Sequence, residues 1–213
     1  PVFLTTVYTL KAKFATFEKD LMTARVYAER AVSLTKAVNK VSDNMRRNAE
    51  IVVLYTSYLK EHDKALAFVD WVENGMAKEP NLVQMASFNT AVGHLYTNQG
   101  MNARSRFYYL KALEGNLATN FKLRIAYAYH NVARSLQKEK KYDQAIDYFT
   151  SSLTQFQELG DKYGDTGEYT RLRFAETLLE AGRIAQSQTI LSQISHDALS
   201  EYYVPLYQDI KQK

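Results

Sequence analysis

The sequence predicts an all-α protein built from stacked helical hairpins, and three observations predict it. Only 8 of the 213 residues are glycine and 3 are proline, about 5% together against an average near 12%, and a sheet-rich chain needs more turn residues than that. Apolar residues recur at helical spacing in long blocks, with no strand apparent. The whole pattern repeats with a period of about 40 residues, which marks an array of supersecondary units.

Taken in order, the first copy is sketched by Ala12, Ala24, Ala28 and Ala31, and the second by Leu54, Tyr58 and Trp71 with Ala65 or Ala67. The third runs Val92-Gly93-His94-Leu95-Tyr96, then Gly100, Ala112 and Leu113. The fourth runs Val132-Ala133-Arg134-Ser135-Leu136, then Tyr142, Ala145, Phe149 and Leu153. A shift of 40 residues places Gly93 on Ala133, Tyr96 on Leu136, Ser105 on Ala145, Tyr109 on Phe149 and Leu113 on Leu153. A fifth copy, Phe174-Ala175 with Leu178, Gly182, Ser187 and Leu191, follows after 42 more. The repeats are read as residues 2–40, 43–78, 81–119, 121–161 and 163–195, in a single domain over 1–213 closed by a capping helix at 196–212.

Each copy reads as two helices joined by a short turn. In the fourth, Ile125, Tyr129, Val132, Ala133 and Leu136 form one stripe, Lys140-Lys141 makes the corner, and Tyr142, Ala145, Ile146, Phe149 and Leu153 form the second stripe. Where Gly93, Ala133 and Ala175 fall, the two helices are expected to cross so closely that a larger side chain would overpack the contact by about 1–3 kcal/mol. Tyr96, Tyr109, Trp71 and Phe149 are expected to fill the wedge to the next unit. A lone hairpin cannot cover both its apolar faces, so neighbours stack. Helix breaks are read at Asp43, Pro80, Gly100, Gly160-Asp161, Gly182 and Ser195, with Gly160 in the left-handed region and Pro205 bending the last helix.

Composition excludes several classes. The 46% hydrophobic and 13% aromatic content argues against disorder. With no cysteine there is no disulfide, thiolate metal site or cysteine nucleophile. A net charge of +4 is small and dispersed; the basic corner Lys138, Lys140 and Lys141 with Arg104 and Arg106 reads as solubilising, which sets RNA binding as the lesser alternative. No stretch approaches the roughly 18 apolar residues of a membrane helix. The start at Pro1 without a basic leader reads as a processed or excised piece, and the cytoplasm is the expected compartment.

The best-patterned stretch, Asn131 to Leu153, with Asn-Val-Ala-x-x-Leu, Lys-Lys-Tyr-Asp-Gln-Ala-Ile-Asp-Tyr-Phe and a terminal leucine, resembles the tetratricopeptide repeat superfamily; Val92 to Leu113 is similar to it as well. The period of about 40 against the usual 34, with a Glu-Leu-Gly-Asp-Lys corner at 158–162, looks like the repeats of bacterial peptide-sensing regulators of the Rap and PlcR type, and like those of larger signalling scaffolds. The resemblance implies a right-handed α-solenoid whose first helices line a concave groove that binds a peptide or protein segment. In the peptide-sensing group, asparagines on several first helices hold the peptide backbone. Asn131 stands at such a position here, with Ala91 and Arg173 at the matching ones.

On that geometry the groove positions are Thr9, Lys13 and Thr16, then Val52, Val53 and Thr56, then Thr90, His94, Thr97 and Asn98. The fourth unit offers Tyr127, His130, Asn131, Arg134 and Lys138, and the fifth Tyr169, Arg173, Glu176 and Glu180. The partner-binding set is His94, Thr97, Tyr127, His130, Asn131, Arg134, Tyr169, Arg173 and Glu176. Asn131 can donate to and accept from one peptide unit. Arg134 and Arg173 can fork onto a carboxylate, each charge-assisted bond contributing about 1.5–3 kcal/mol when shielded. The alternative for these residues is a solvated face with an internal Arg173–Glu176 pair. His94 and His130 have no third ligand at a fixed spacing, so no metal or other cofactor is expected. Without a phosphate loop or a triad to single out Ser135, Ser151 or Ser152, no enzyme activity is expected. Tyr202, Tyr203 and Tyr207 read as an end cap or a homodimer contact.

Overall fold

Five helix-to-helix turns of one geometry organise the chain in the computed structural model, which describes residues 2–37, 45–76, 81–160, 164–195 and 199–212. The turns sit at Lys19, Lys60, Gly100, Lys140 and Gly182, each with φ between 58° and 75°. This left-handed backbone costs glycine nothing and a lysine roughly 1 kcal/mol. In four of them the next amide reaches back five residues, as from Met101 to the Tyr96 carbonyl (2.9 Å) and from Lys141 to that of Leu136 (3.0 Å), the hydrogen bond of a Schellman cap.

The turns join α1 (Val2–Phe17) to α2 (Leu21–Lys36), α3 (Met45–Val53) to α4 (His62–Met76), α5 (Leu82–Asn98) to α6 (Asn102–Leu117), α7 (Lys122–Lys138) to α8 (Tyr142–Leu159), and α9 (Gly164–Glu180) to α10 (Ile184–Ser192). A short 3-10 turn (Glu201–Tyr203) leads into α11 (Val204–Lys211). The described residues include no strand, and none of their helices is long and apolar enough to cross a membrane. The second hairpin differs. Helix α3 runs into a π-helical turn, Leu54–Tyr58, and its Schellman bond, Glu61 amide to Tyr55 carbonyl, spans one residue more.

Small residues sit at fixed distances from these turns. Ala24, Ala65, Ser105, Ala145 and Ser187 each follow a turn residue by five positions, and all are buried. The serines do more than fit: Ser187 donates to the Ala175 carbonyl at 2.8 Å. On the first helices, Ala12, Ala133 and Ala175 are fully buried. A Cβ on Gly93 would lie 3.0 Å from Tyr109 Cζ and closer still to the edge of that ring. Tyr109 therefore packs onto its own hairpin rather than filling the wedge to the next. Its hydroxyl lies 2.8 Å from His94 Nδ1 and 3.1 Å from Thr97 Oγ1, and burial pushes it up to about 12 against the opposing hydrogen bonds of Thr97 and Ser105.

The chain divides into two compact units, residues 1–118 and 119–213. In unit 1 one apolar cluster runs from Ala12 through Ile51, Leu54, Phe68 and Val72 to Phe88, Val92 and Leu95, and α3 packs directly along α5. Trp71 stacks on Phe68 (5.6 Å) under the Lys36 ammonium. Thr9, Val52 and Thr56, expected in a groove, belong to this interior, because helices packed on either side cover those positions. In unit 2 Phe149 stacks on Phe174 of the following hairpin (5.8 Å), and a second cluster joins Leu172, Leu191, Leu199, Tyr207 and Ile210.

Two proline and glycine expectations change. Pro205 lies in the first turn of α11, where its missing N–H is no loss, so it starts the helix instead of bending it. Gly160 ends α8 with φ 72° and ψ −171°, an extended positive-φ conformation open essentially to glycine alone rather than the left-handed helical one. The breaks read at Asp43, Pro80 and Asp161, with Lys162 and His196, lie outside the described residues.

Candidate partner-binding face

Unit 2 places α7 and α9 side by side through polar side chains that meet rung by rung. The Tyr127 hydroxyl lies 3.1 Å from Thr166 Oγ1, and His130 Nδ1 lies 3.1 Å from Thr170 Oγ1. Further along, Arg134 donates to Glu176 at 2.9 Å, and the Gln137 amide donates to both Glu176 and Glu180 at 3.1 Å. Partners are 39 to 43 residues apart, one repeat length, so equal turns put equivalent helical positions in contact.

The centre of this face is the Glu176 carboxylate, gripped by two guanidiniums. Arg173 donates to it at 3.1 and 3.2 Å and to the Tyr169 hydroxyl at 3.2 Å. Burial alone would raise Glu176, but the Gln137 amide and the charges of Arg173 and Arg134 hold it below the usual carboxylate range. Burial and the neighbouring Arg173 lower Arg134, with Glu176 in partial opposition. For Arg173 the burial cost is outweighed by Tyr169 and Glu176, and the net direction is upward. Lys138, at the end of α7, is pushed down by burial and by both arginines. Three cations thus face two carboxylates, an excess of one positive charge.

The structure brings Arg134, Tyr169, Arg173 and Glu176 together in this cluster, and the Arg173–Glu176 pair is internal to it. Tyr127 is 41% exposed, edge-on to Phe156. Asn131 is half-buried, and its amide has no hydrogen-bond partner among the described residues. His130, expected to face a groove, is only 7% exposed, between Phe149 and Tyr169. Its ring is packing between α7 and α9, which is what an imidazole without a solvent path becomes. His94 and Thr97 belong to unit 1, where both bond to Tyr109. No group of three or more metal-ligating side chains occurs among the described residues.

Two participants were not placed on this face by the sequence, which passes over Gln137 and reads Tyr203 as an end cap or dimer contact. Gln137 lies one helical turn from Arg134 on the same face, and its amide is the link that draws Glu180 into the cluster. Tyr203 stacks on Tyr169 with ring centroids 4.3 Å apart, held near by the Ser200 amide, which donates to Asp165. Spacing along the chain gives no sign of that contact.

The tetratricopeptide repeat family profile matches residues 86–115 and 126–155, the α5–α6 and α7–α8 hairpins. No curated protein matches the sequence. Among solved structures, BtubC (BKLC) from P. vanneervenii is similar with a TM-score of 0.77 at 16% identity, over 100% of this chain and 82% of that one. Repeats of a putative kinesin light chain from Podosopora anserina, in a form carrying one substitution, are similar with a TM-score of 0.74 at 12% identity, over 98% of this chain and 96% of that one. A second structure of those repeats gives 0.72 at 13%, over 97% and 94%. The turn-anchored hairpins and these neighbours agree on an α-solenoid fold of tetratricopeptide type, and two of its hairpins match the tetratricopeptide repeat profile itself.

Proposed function

We propose that this chain is a non-catalytic binding module that takes an extended peptide segment bearing a carboxylate on the α7–α9 face of unit 2. Tetratricopeptide repeats generally serve as protein-interaction scaffolds, which sets the class. One observation supports the finer reading: Arg134 and Arg173 share a single internal carboxylate, with Lys138 beside them. Among the described residues the Nη2 groups of Arg134 and Arg173 have no acceptor, and the surplus positive charge favours a second anionic group. Asn131, one turn before Arg134, offers a peptide backbone an amide that has no partner among the described residues. Tyr127 and Tyr169 supply flat contact at low entropy cost. In a sharper form of the reading, the ligand biases the repeat stack of a signalling regulator; in the broader form the module assembles a larger complex.

Peptides selected by display on the chain, titrated as free-acid and carboxamide versions, test the proposal. Arg173→Ala combined with Asn131→Ala is expected to weaken binding at least tenfold, and amidation of the recognised carboxylate to do the same. Equal affinity of the wild type and the double variant, for both peptide forms, would remove this face from the function. A scattering profile unchanged by saturating peptide would keep the module and discard the sensor.

A further inference from the structure

The basic corner that ends α7 holds three amines in three settings. Lys140 occupies the positive-φ turn and is exposed. Lys141 is paired with Glu139 at 2.6 Å. Lys138 is exposed as well, yet among the described residues it has no carboxylate within ion-pair reach. It stands one helical turn after Arg134, on the same side of α7. The charges that bear on it are the guanidiniums of Arg134 and, from α9, Arg173. The contrast with Lys64 is one of sign: bonds to Glu29 and Glu61 raise that ammonium, whereas burial and the two arginines push Lys138 down. Two properties of a reactive amine therefore meet at one place. Only the neutral amine attacks a carbonyl carbon, and neighbouring cations enlarge its share near neutral pH. Beside it, the Nη2 groups of Arg134 and Arg173 have no acceptor among the described residues, and a guanidinium fork matches a phosphate group.

We propose that Lys138 is a site of self-acylation by an acyl phosphate, with Arg134 and Arg173 holding the phosphate while Lys138 Nζ attacks the acyl carbon. The inference rests on the reading of the α7–α9 face as an anion site. A bond forms between Nζ and the acyl carbon, and the bond from that carbon to the phosphate oxygen breaks. Inorganic phosphate departs with the electron pair, and the amine's proton passes to water. The two guanidiniums also favour the charge that grows on the departing phosphate. The product is a neutral amide. Arg134 and Arg173 then face Glu176 and Glu180 two against two, and the positive surplus that favours an anionic peptide is gone. Acylation of Lys138 is in this way an off-switch for the binding face.

Acetyl phosphate is the probe, applied to the whole chain at about pH 8 with the acetylation rate of each lysine read by mass spectrometry. Lys138 is expected to react at least tenfold faster than Lys140 and Lys141, to be slowed by inorganic phosphate, and to lose its advantage in Arg173→Ala. Acetic anhydride, which offers no phosphate to hold, is expected to discriminate less. After acetylation, the wild type should bind the display-selected free-acid peptide at least fivefold more weakly than an equally treated Lys138→Arg chain, which keeps the charge. Equal rates at Lys138 and Lys140 would overturn the proposal, and so would a Lys138 rate indifferent to phosphate. Both are read on the wild type, so they decide the matter even where Arg173→Ala does not fold. Neither involves a peptide, so either failure leaves the carboxylate-binding reading to its own titration. Selective acetylation with no difference between the two treated chains would overturn the switch.

Discussion

Unit 1 and unit 2 use the same hairpin, the same turn and nearly the same period, yet they join successive first helices by opposite means. In unit 1, α3 and α5 share an interior of Ile51, Val52, Phe88 and Val92, and charged groups stay at the margin, as in Arg25 with Glu61 and Lys64 with Glu29 at 2.9 Å. In unit 2, α7 and α9 are joined through His130, Thr170, Arg134, Gln137 and Glu176. The repeat sets where helices lie; the side chains between equivalent helices decide whether that seam is sealed or chemically addressable. A sealed seam is stiff and insensitive to solution conditions. A polar seam responds to pH, salt and charged ligands.

The sharpest way to break the unit 1 side is steric. A Cβ on Gly115 of α6 would lie 2.9 Å from the Leu82 carbonyl carbon and closer still to its oxygen, backbone atoms that cannot swing aside. Gly115→Ala is therefore expected to destabilise unit 1 by about 3 kcal/mol, read from the denaturant midpoint; a change under half of that would show that α5 and α6 can slide apart.

On the unit 2 side the corresponding break is electrostatic. Glu176→Gln leaves two partly buried guanidiniums without a counter-charge and should cost about 1–3 kcal/mol at pH 7. Arg25→Ala at the exposed margin of unit 1 should cost less than about 1 kcal/mol. The sign of the pH effect follows from Glu176 being lowered in the folded chain. Its contribution is complete above the unfolded value near 4.3 and fades as pH falls through the lower folded value. The difference between wild type and Glu176→Gln should accordingly be full at about pH 6–7 and close below about pH 4. A gap independent of pH would mean that Glu176 acts by shape and not by charge.

The smallest effect is a gain. Lys140 holds a positive φ of 59° at the position where Gly100 and Gly182 stand in other hairpins. Lys140→Gly should raise stability by about 0.5–1 kcal/mol in thermal unfolding, and a loss would show that the lysine side chain itself stabilises the corner.

Much of the fold was legible because it rests on short-range pattern. Gly93 and Ala133 announce close helix crossings by size alone, and the 40-residue shift carries them onto one another. Gly115 escaped notice because its partner is a backbone carbonyl at the start of another helix, which no side-chain pattern records. The candidate face was legible in part. Arg173 and Glu176 are three apart on one helix, so their pairing follows from helical geometry. The Arg134–Glu176 bond needs the offset between two helices. The burial of His130, Thr9 and Thr56 depends on which neighbours flank each hairpin, a property of the stack that no single repeat contains.

The lone tryptophan of the chain, Trp71, sits on Phe68 in α4. Its emission is consequently an optical probe native to the first unit, while the far-ultraviolet dichroism reports the helices of both. Melting followed by the two signals would show, without any label, whether the halves come apart together or one after the other.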